Sequence, residues 1–323
     1  MISSRFRIAG VLAAAAIVVG ACTAAATPSP TAAPTPAPTP TAVVLGPVGT
    51  PAPTPTPAPT QVIVGTVPPD QLVVPGHLTI CSDIPYPPQE FFDANGNPTG
   101  SDIDIGAEIA ARLGLKVAVQ NTVFDTIIAA LDGNKCDIII SAQNITADRL
   151  KAVDMIPYFH AGQSFVVGKG NPTGIATAMD LCGKSVGVEN GTTEADHLNG
   201  TGDYKPADGL SAQCVAAGKA KINVQPFTKD SDALLALQSG KVAAYFTDSP
   251  VAGYYTVQQP DLFQVVPGLI LDDVNEGISV GKANTALEAS VKAALQSMID
   301  DGTYLKILTK YGVQADAVTS TNS

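Results

Sequence analysis

The stretch ISAQNITADRLKAVDM, Ile140 to Met155, sets Arg149 three positions after Thr146, directly behind a short apolar run. A guanidinium where a strand gives way to a helix faces whatever lies beyond the strand's carboxyl end, and its planar fork matches a carboxylate with two parallel hydrogen bonds. Other strand-like runs end in residues of complementary chemistry. In the first half, SDIPYPPQE supplies Asp83 and Tyr86, NTVF supplies Phe124, and SAQN supplies Ser141, Gln143 and Asn144. In the second half, VENGTTE supplies Glu189, Thr192, Thr193 and Glu194, and FTDSPV supplies Asp248. One arginine facing carboxylates, with aromatic faces and hydroxyls between them, is complementary to an amino-acid zwitterion. Arg149 would hold the α-carboxylate, helped by the amides after Gly191 at a helix N-terminus. Asp248 would take the α-ammonium, and Tyr86 and Phe124 would enclose the side chain.

Each residue also has a plainer account. Arg149 can pair with a nearby acid on a helix surface. Asp248, Thr192 and Thr193 can cap helices. Tyr86 and Phe124 can be core, and Glu189 a solvated or lobe-bridging carboxylate. The constellation, rather than any one member, favours the binding role.

Strand-like and helix-like runs alternate behind these residues. LTICSD, KVAVQN and CDIIIS read as strands; DIDIGAEIAARLGL, FDTIIAALDGN and TADRLKAV read as helices, the last with Thr146 as N-cap. A second series follows: SVGVENG, INVQPF and AAYFTDS as strands, with TTEADHL, DSDALLALQSGK and PVAGYYTVQQ as helices. Such alternation means parallel sheets with helices on both faces. Two long extended segments, GQSFVVGKG and EGISVGKA, stand between the series, and the C-terminal residues 284–312 are strongly helical. The expected architecture is therefore α/β with one lobe (residues 69–161 and 277–323) interrupted by another (162–276). Ligands in open α/β sheets bind beyond the strands' carboxyl ends, and two connections make a cleft that can hinge shut.

The chain opens MISSRFRIAGVLAAAAIVVGAC, with Arg5 and Arg7 before an apolar core too short to span a membrane comfortably. That pattern is a secretion signal over 1–21. Its end, VGAC, resembles the bacterial lipobox, which implies cleavage before Cys22 and lipid attachment there. Residues 22–68 are then a Pro/Thr/Ala-rich linker; repeated proline removes donors and favours extended chain. A net charge of −11 argues against nucleic acid or an anionic membrane surface as partner. Cys182 and Cys214 flank a polar segment and can staple it in an exported chain. Cys81 and Cys136, if on parallel neighbouring strands, would sit three or four residues out of register, on the order of 10 Å apart, and are expected to be buried thiols.

From about Leu72 to Val313, the motifs DIPYPPQEF, NGNPTGSDIDIGAEIAARLG, FDTIIAALDGNKCDIIISAQNITADR, VGVENGTT, FTDSPVA and DGTYLKILTKYG resemble the bacterial extracytoplasmic solute-binding proteins of polar amino-acid ABC importers. The resemblance implies a type II periplasmic-binding fold closing on a free amino acid, with the roles given above for Arg149, Asp248, Tyr86 and Phe124. It implies delivery to a permease with a cytoplasmic ATPase, a monomer, membrane attachment only through the Cys22 lipid, and no cofactor, metal or catalysis. Gln89 stands where the family commonly has an aromatic residue, Ala142 where it has Gly or Ser, and Asn144 where it has Ser or Thr. Asp83 with Glu189 suits a cationic side chain; a polar neutral one such as glutamine fits nearly as well. The rival functions are a sensing module for a partner receptor and a dehydratase using Glu189 or Asp83 for proton transfer. DANGNPTGSDID spaces acids like a calcium loop but has Pro98 at the position of the turn glycine, and reads better as a hairpin.

Overall fold

The computed structural model describes residues 63–322. The secretion signal, Cys22 and most of the proline-rich segment lie outside these residues. The strands are β1 (His77–Ser82), β2 (Phe91–Phe92), β3 (Pro98–Thr99), β4 (Lys116–Asn121), β5 (Ile138–Ile139), β6 (Val153–Gly168), β7 (Ser185–Glu189), β8 (Asn223–Phe227), β9 (Ala244–Asp248) and β10 (Phe263–Gly281). The α-helices are α1 (Ser101–Arg112), α2 (Ile127–Asp132), α3 (Arg149–Ala152), α4 (Thr193–Asn199), α5 (Leu210–Ala216), α6 (Asp230–Gln238), α7 (Ser249–Gln258), α8 (Thr285–Asp301) and α9 (Thr303–Tyr311).

Eight strands join in the order β4-β1-β5-β10-β6-β9-β7-β8. At one end β1 pairs in parallel with β4 and β5; at the other β7 pairs in parallel with β8 and β9. The two ends are the two lobes. They are joined by the antiparallel ribbon of β6 and β10, which interrupts its register between Val265 and Ile270 and again between Leu271 and Val274. The extended segments expected to connect the lobes overlap these two strands, and the expected lobe boundaries at 161/162 and 276/277 fall inside them. This is the type II periplasmic-binding fold.

Strand alternation distributes the apolar side chains to two layers in each lobe. In the first lobe, Leu78 and Ile80 of β1 face Ile105 and Ile109 of α1 and Leu295 and Met298 of α8. Cys81 and Ile139 face the opposite layer with Ile127 and Leu131 of α2. In the second lobe, Phe165 of β6 and Phe246 of β9 lie on one side with Leu198 and Cys214; Val166 and Tyr245 lie on the other with Leu234 and Leu237 of α6. Phe165 and Phe246 stack at 3.9 Å between ring centroids. Helix α8 buries Leu287, Val291, Ala294, Leu295 and Met298 along one stripe, so the C-terminal helices return to the first lobe. Packing also begins earlier than Pro69: the Val64 amide donates to the Arg112 carbonyl at 3.0 Å, and Val67 is part of the first-lobe core.

Two local expectations change. Helix α3 is a single turn, because β6 starts at Val153; Thr146 nevertheless accepts the Arg149 amide through its hydroxyl at 3.1 Å. Cys81 and Cys136 form a disulfide with Cα atoms 5.6 Å apart, where buried thiols were expected. Ladder extrapolation fails because Cys136 precedes β5: the chain bends at Lys135 and Asp137, and the Asp137 amide donates to the Thr79 carbonyl at 2.8 Å. That bend folds Cys136 beneath Cys81. The Cys182–Cys214 disulfide is also present. DANGNPTG forms the β2–β3 hairpin, with Asp93 accepting the Asn95 and Asn97 amides at 2.8 Å each.

Candidate functional site

The first lobe builds its half of the cleft from the ends of β1 and β5. After β1, the Asp83 amide donates to Ser141 Oγ at 2.8 Å, and Asp83 Oδ2 accepts the Phe124 amide at 2.5 Å. Ser141 in turn donates to Glu90 Oε1 at 2.7 Å. Ala142 lies in the left-handed region at φ 47°, which costs energy for any side chain. Its amide is held by Asp102 Oδ2 at 3.0 Å and the Tyr158 hydroxyl at 3.2 Å. The turn it makes puts Asn144 where its carbonyl accepts Arg149 Nη1 at 2.8 Å. The guanidinium lies over the Phe124 ring, 5.3 Å from its centroid.

The second lobe contributes Glu189 from the end of β7, the N-terminus of α4, and Asp248 from the end of β9. Thr192 is the N-cap of α4, accepting the Ala195 amide at 3.2 Å while its hydroxyl donates to the Glu189 carbonyl at 2.9 Å. Gly191 precedes it at φ +80°; a Cβ there would come within 2.9 Å of the Asp125 backbone in the other lobe. Only glycine allows that approach.

The lobes meet through direct polar contacts. The Tyr86 hydroxyl donates to Asp248 Oδ2 at 2.7 Å and lies 3.1 Å from Thr247 Oγ1. Arg149 Nη2 donates to the Gly191 carbonyl at 3.1 Å, and Asn190 Nδ2 to Asp125 Oδ2 at 2.7 Å. Asp203 accepts the Ala147 and Asp148 amides at 2.6 and 3.0 Å. Lys229 forms an ion pair with Asp83. The free space enclosed between the lobes is about 10 Å³, room for about one water molecule, so a larger guest enters only when the lobes part.

Eight predicted site residues line this space: Asp83, Tyr86, Phe124, Ser141, Asn144, Glu189, Thr192 and Asp248. Arg149, Gln143 and Thr193 do not. They line an adjoining pocket of about 280 Å³ that shares Phe124 as its wall. Gln143 is turned toward β10, where its Oε1 accepts the Ser279 hydroxyl at 2.7 Å; Thr193 accepts Gln163 Nε2 at 3.0 Å. One lining carboxylate, Glu90, is not among the residues that the sequence singles out; Glu194, expected among the acids following β7, lines the space as well. Glu90 follows Tyr86 by four residues in the same loop, which is the positional signal for it; Glu194 is in the first turn of α4. Asp248 makes no side-chain cap to α7.

Burial dominates the electrostatics. It pushes the Asp248 carboxyl well above its ordinary range, with the negative charge of Glu194 adding to the effect. Glu90 is raised well above its ordinary range by burial and then by Asp102. Glu189 is pushed up to about 10, by burial and then by Asp230 and Asp83. Asp83 is raised too, because burial outweighs the Lys229 ammonium. Glu90 Oε2, Glu194 Oε1 and Asp248 Oδ1 are buried without hydrogen-bond partners among the described residues. These unpartnered oxygens are complementary to N–H donors.

Two lobes on a strand ribbon, with their polar strand ends converging on one small space, define a hinged ligand-binding protein. The chain belongs to the bacterial extracellular solute-binding proteins, family 3, whose family model matches residues 78–314. It is 30% identical over 247 residues to the lysine/arginine/ornithine-binding periplasmic protein of Escherichia coli K12, covering 74% of this chain and 88% of that one. Two solved structures of an ancestral arginine-binding protein are each 38% identical with a TM-score of 0.64. The one bound to arginine matches 73% of this chain and 98% of its own; the one bound to glutamine matches 74% and 98%. Among the described residues no helix is long and apolar enough to cross a membrane.

Proposed function

We propose that this protein captures a free polar or cationic amino acid outside the cytoplasm and delivers it to the permease of an ABC importer. The observation that carries this reading is the set of unpartnered carboxylate oxygens on Glu90, Glu194 and Asp248 around one enclosed space, with the Arg149 guanidinium just across the Phe124 ring. An amino acid has the matching groups: an ammonium for Asp248 and Glu194, and a carboxylate for Arg149. In this reading the ammonium displaces the Tyr86 hydroxyl from Asp248, and the carboxylate takes the guanidinium bonds now made to the Asn144 and Gly191 carbonyls. Ser141, Asn144, Thr192 and Thr193 complete the shell, and Tyr86 and Phe124 flank the side chain. The ligands named for the related proteins support both the class of guest and the two kinds of side chain. Because the guest touches both lobes, its binding energy selects the closed arrangement.

The protein acts by binding, as a monomer, tethered through lipid on Cys22. Of the two acids that a dehydratase could use for proton transfer, Glu189 has its Oε1 bound to the Asp230 amide at 3.1 Å and Asp83 is paired with Lys229 and the Phe124 amide, which favours binding over catalysis.

A thermal-shift screen of the twenty amino acids tests the capture reading. A ligand at a hundred times its Kd adds about 2.7 kcal/mol to stability; a screen in which none of them moves the melting temperature overturns it. For the tether, Cys22→Ala should release the protein from the membrane fraction, and a variant that stays with the membrane would exclude the lipid anchor.

A further inference from the structure

We infer that Lys229 is a specificity-determining residue: an internal cation that takes Asp83 away from the ligand and shifts the cleft from cationic toward neutral polar side chains. The inference rests on the amino-acid reading above and concerns the side-chain end of the same site.

Lys229 is the residue before α6, with extended backbone at φ −127° and ψ 142°. Its side chain leaves the second lobe and crosses to the first. There the ammonium pairs with Asp83 and lies 3.4 Å from both the Ile84 carbonyl and Asn121 Oδ1. A carboxylate, a carbonyl and an amide oxygen around one ammonium make the kind of nest a ligand's cationic side chain would need. Here the protein's own lysine fills it. The other oxygen of Asp83 accepts the Phe124 amide, so both of its oxygens are engaged.

Glu189, the second acid suited to a cationic side chain, does not replace it. Its Oε1 is bound to the Asp230 amide, and burial next to Asp230 and Asp83 keeps the carboxyl protonated to about pH 10. Neither acid therefore offers a free negative charge while Lys229 is in place. The Lys229 side chain is 25% exposed, against 4% for Asp83. The pair is thus only partly screened by solvent, and the lysine cancels the negative charge that Asp83 would otherwise present to the cleft. A carboxamide side chain meets a neutral wall, whereas a guanidinium or ammonium must compete with Lys229 for Asp83.

The test is calorimetric titration of arginine and glutamine into the whole chain carrying Lys229, Lys229→Met or Lys229→Arg. Removing the charge at nearly constant length should raise the arginine-to-glutamine affinity ratio tenfold or more. Lys229→Arg, which keeps the charge, should leave that ratio within threefold of the unaltered protein. A Met variant whose ratio stays within threefold overturns the inference, as does an equal rise in the Arg variant, which would mean shape rather than charge. If the Met variant does not fold, Lys229→Gln is read against the same thresholds. If the unaltered protein binds neither ligand, the cationic and neutral amino acids that shift its melting temperature most replace them. Binding with an unmoved ratio sinks only the role of Lys229. A protein that binds no amino acid sinks the capture reading and this inference with it.

Discussion

The phenolic hydroxyl of Tyr86 donates to Asp248 at 2.7 Å, so a loop of the first lobe engages the acid at the end of a second-lobe strand. Tyr86 also packs among second-lobe apolar residues, with Val166 and Tyr245 in the same cluster. The contact closes the cleft with the protein's own groups. Tyr86→Phe removes the hydrogen bond and keeps the ring, costing the closed form about 1 kcal/mol. Small-angle scattering without amino acid should show a larger radius of gyration for the variant, and saturating ligand should bring both proteins to the same value. Identical curves in the absence of ligand would show that this contact does not hold the lobes together.

Arg149 touches both halves of the site, donating to the carbonyls of Asn144 and Gly191. Its affinity for protons is lowered by burial, an effect opposed first by Glu194. Arg149→Ala should weaken amino-acid binding by roughly 2–5 kcal/mol, since a desolvated carboxylate would be left unpaired. Arg149→Lys should recover only part of that loss, because an ammonium cannot reproduce the two parallel bonds. Calorimetry giving an unchanged Kd for the alanine variant would remove Arg149 from the carboxylate role.

Much of this was legible in the sequence because strand ends are where period-2 apolar runs stop. Asp83, Phe124, Ser141, Glu189 and Asp248 were found that way, and the order of runs gave the two lobes. What could not be read was set by contacts between distant segments. Lys229 precedes α6 and looks like an ordinary surface cation until the lobes face each other. Gln143 sits in the right turn, but the positive φ of Ala142 redirects the chain and sends it to Ser279. Cys136 reaches Cys81 because a bend, invisible to strand periodicity, precedes β5.

The Cys182–Cys214 bond closes a second-lobe segment, with the two residues 32 apart in sequence, and Cys214 is fully buried in that lobe's core. Replacing both by serine should cost about 2–4 kcal/mol, lowering the denaturant midpoint. Neither cysteine lines the cleft, so the Kd of the folded variant should stay within about threefold of the unaltered protein, a shift below 1 kcal/mol. A tenfold or larger loss of affinity would show that the staple shapes the site itself.

The buried carboxyls give the stability of this chain a downward slope above neutral pH. Glu189 is raised from its ordinary value to about 10, and Asp248, Glu90 and Glu276 are raised well above theirs, burial being the first cause in each. For an acid whose folded pKa is raised, the folded chain holds the proton more tightly than the unfolded one. Its stabilising effect is complete below the unfolded value and is lost as pH rises toward the folded value. Melting temperature should therefore fall continuously from pH 7 to pH 10, by about 4 °C or more, as ΔΔG values of 1–2 kcal/mol produce in a chain of this size. Glu189→Gln keeps the acceptor for the Asp230 amide and removes the titration, so its melting temperature should decline less over the same interval. Parallel curves for the two proteins between pH 8 and 10 would mean that Glu189 is already ionised in the folded chain, and that Lys229 neutralises it along with Asp83.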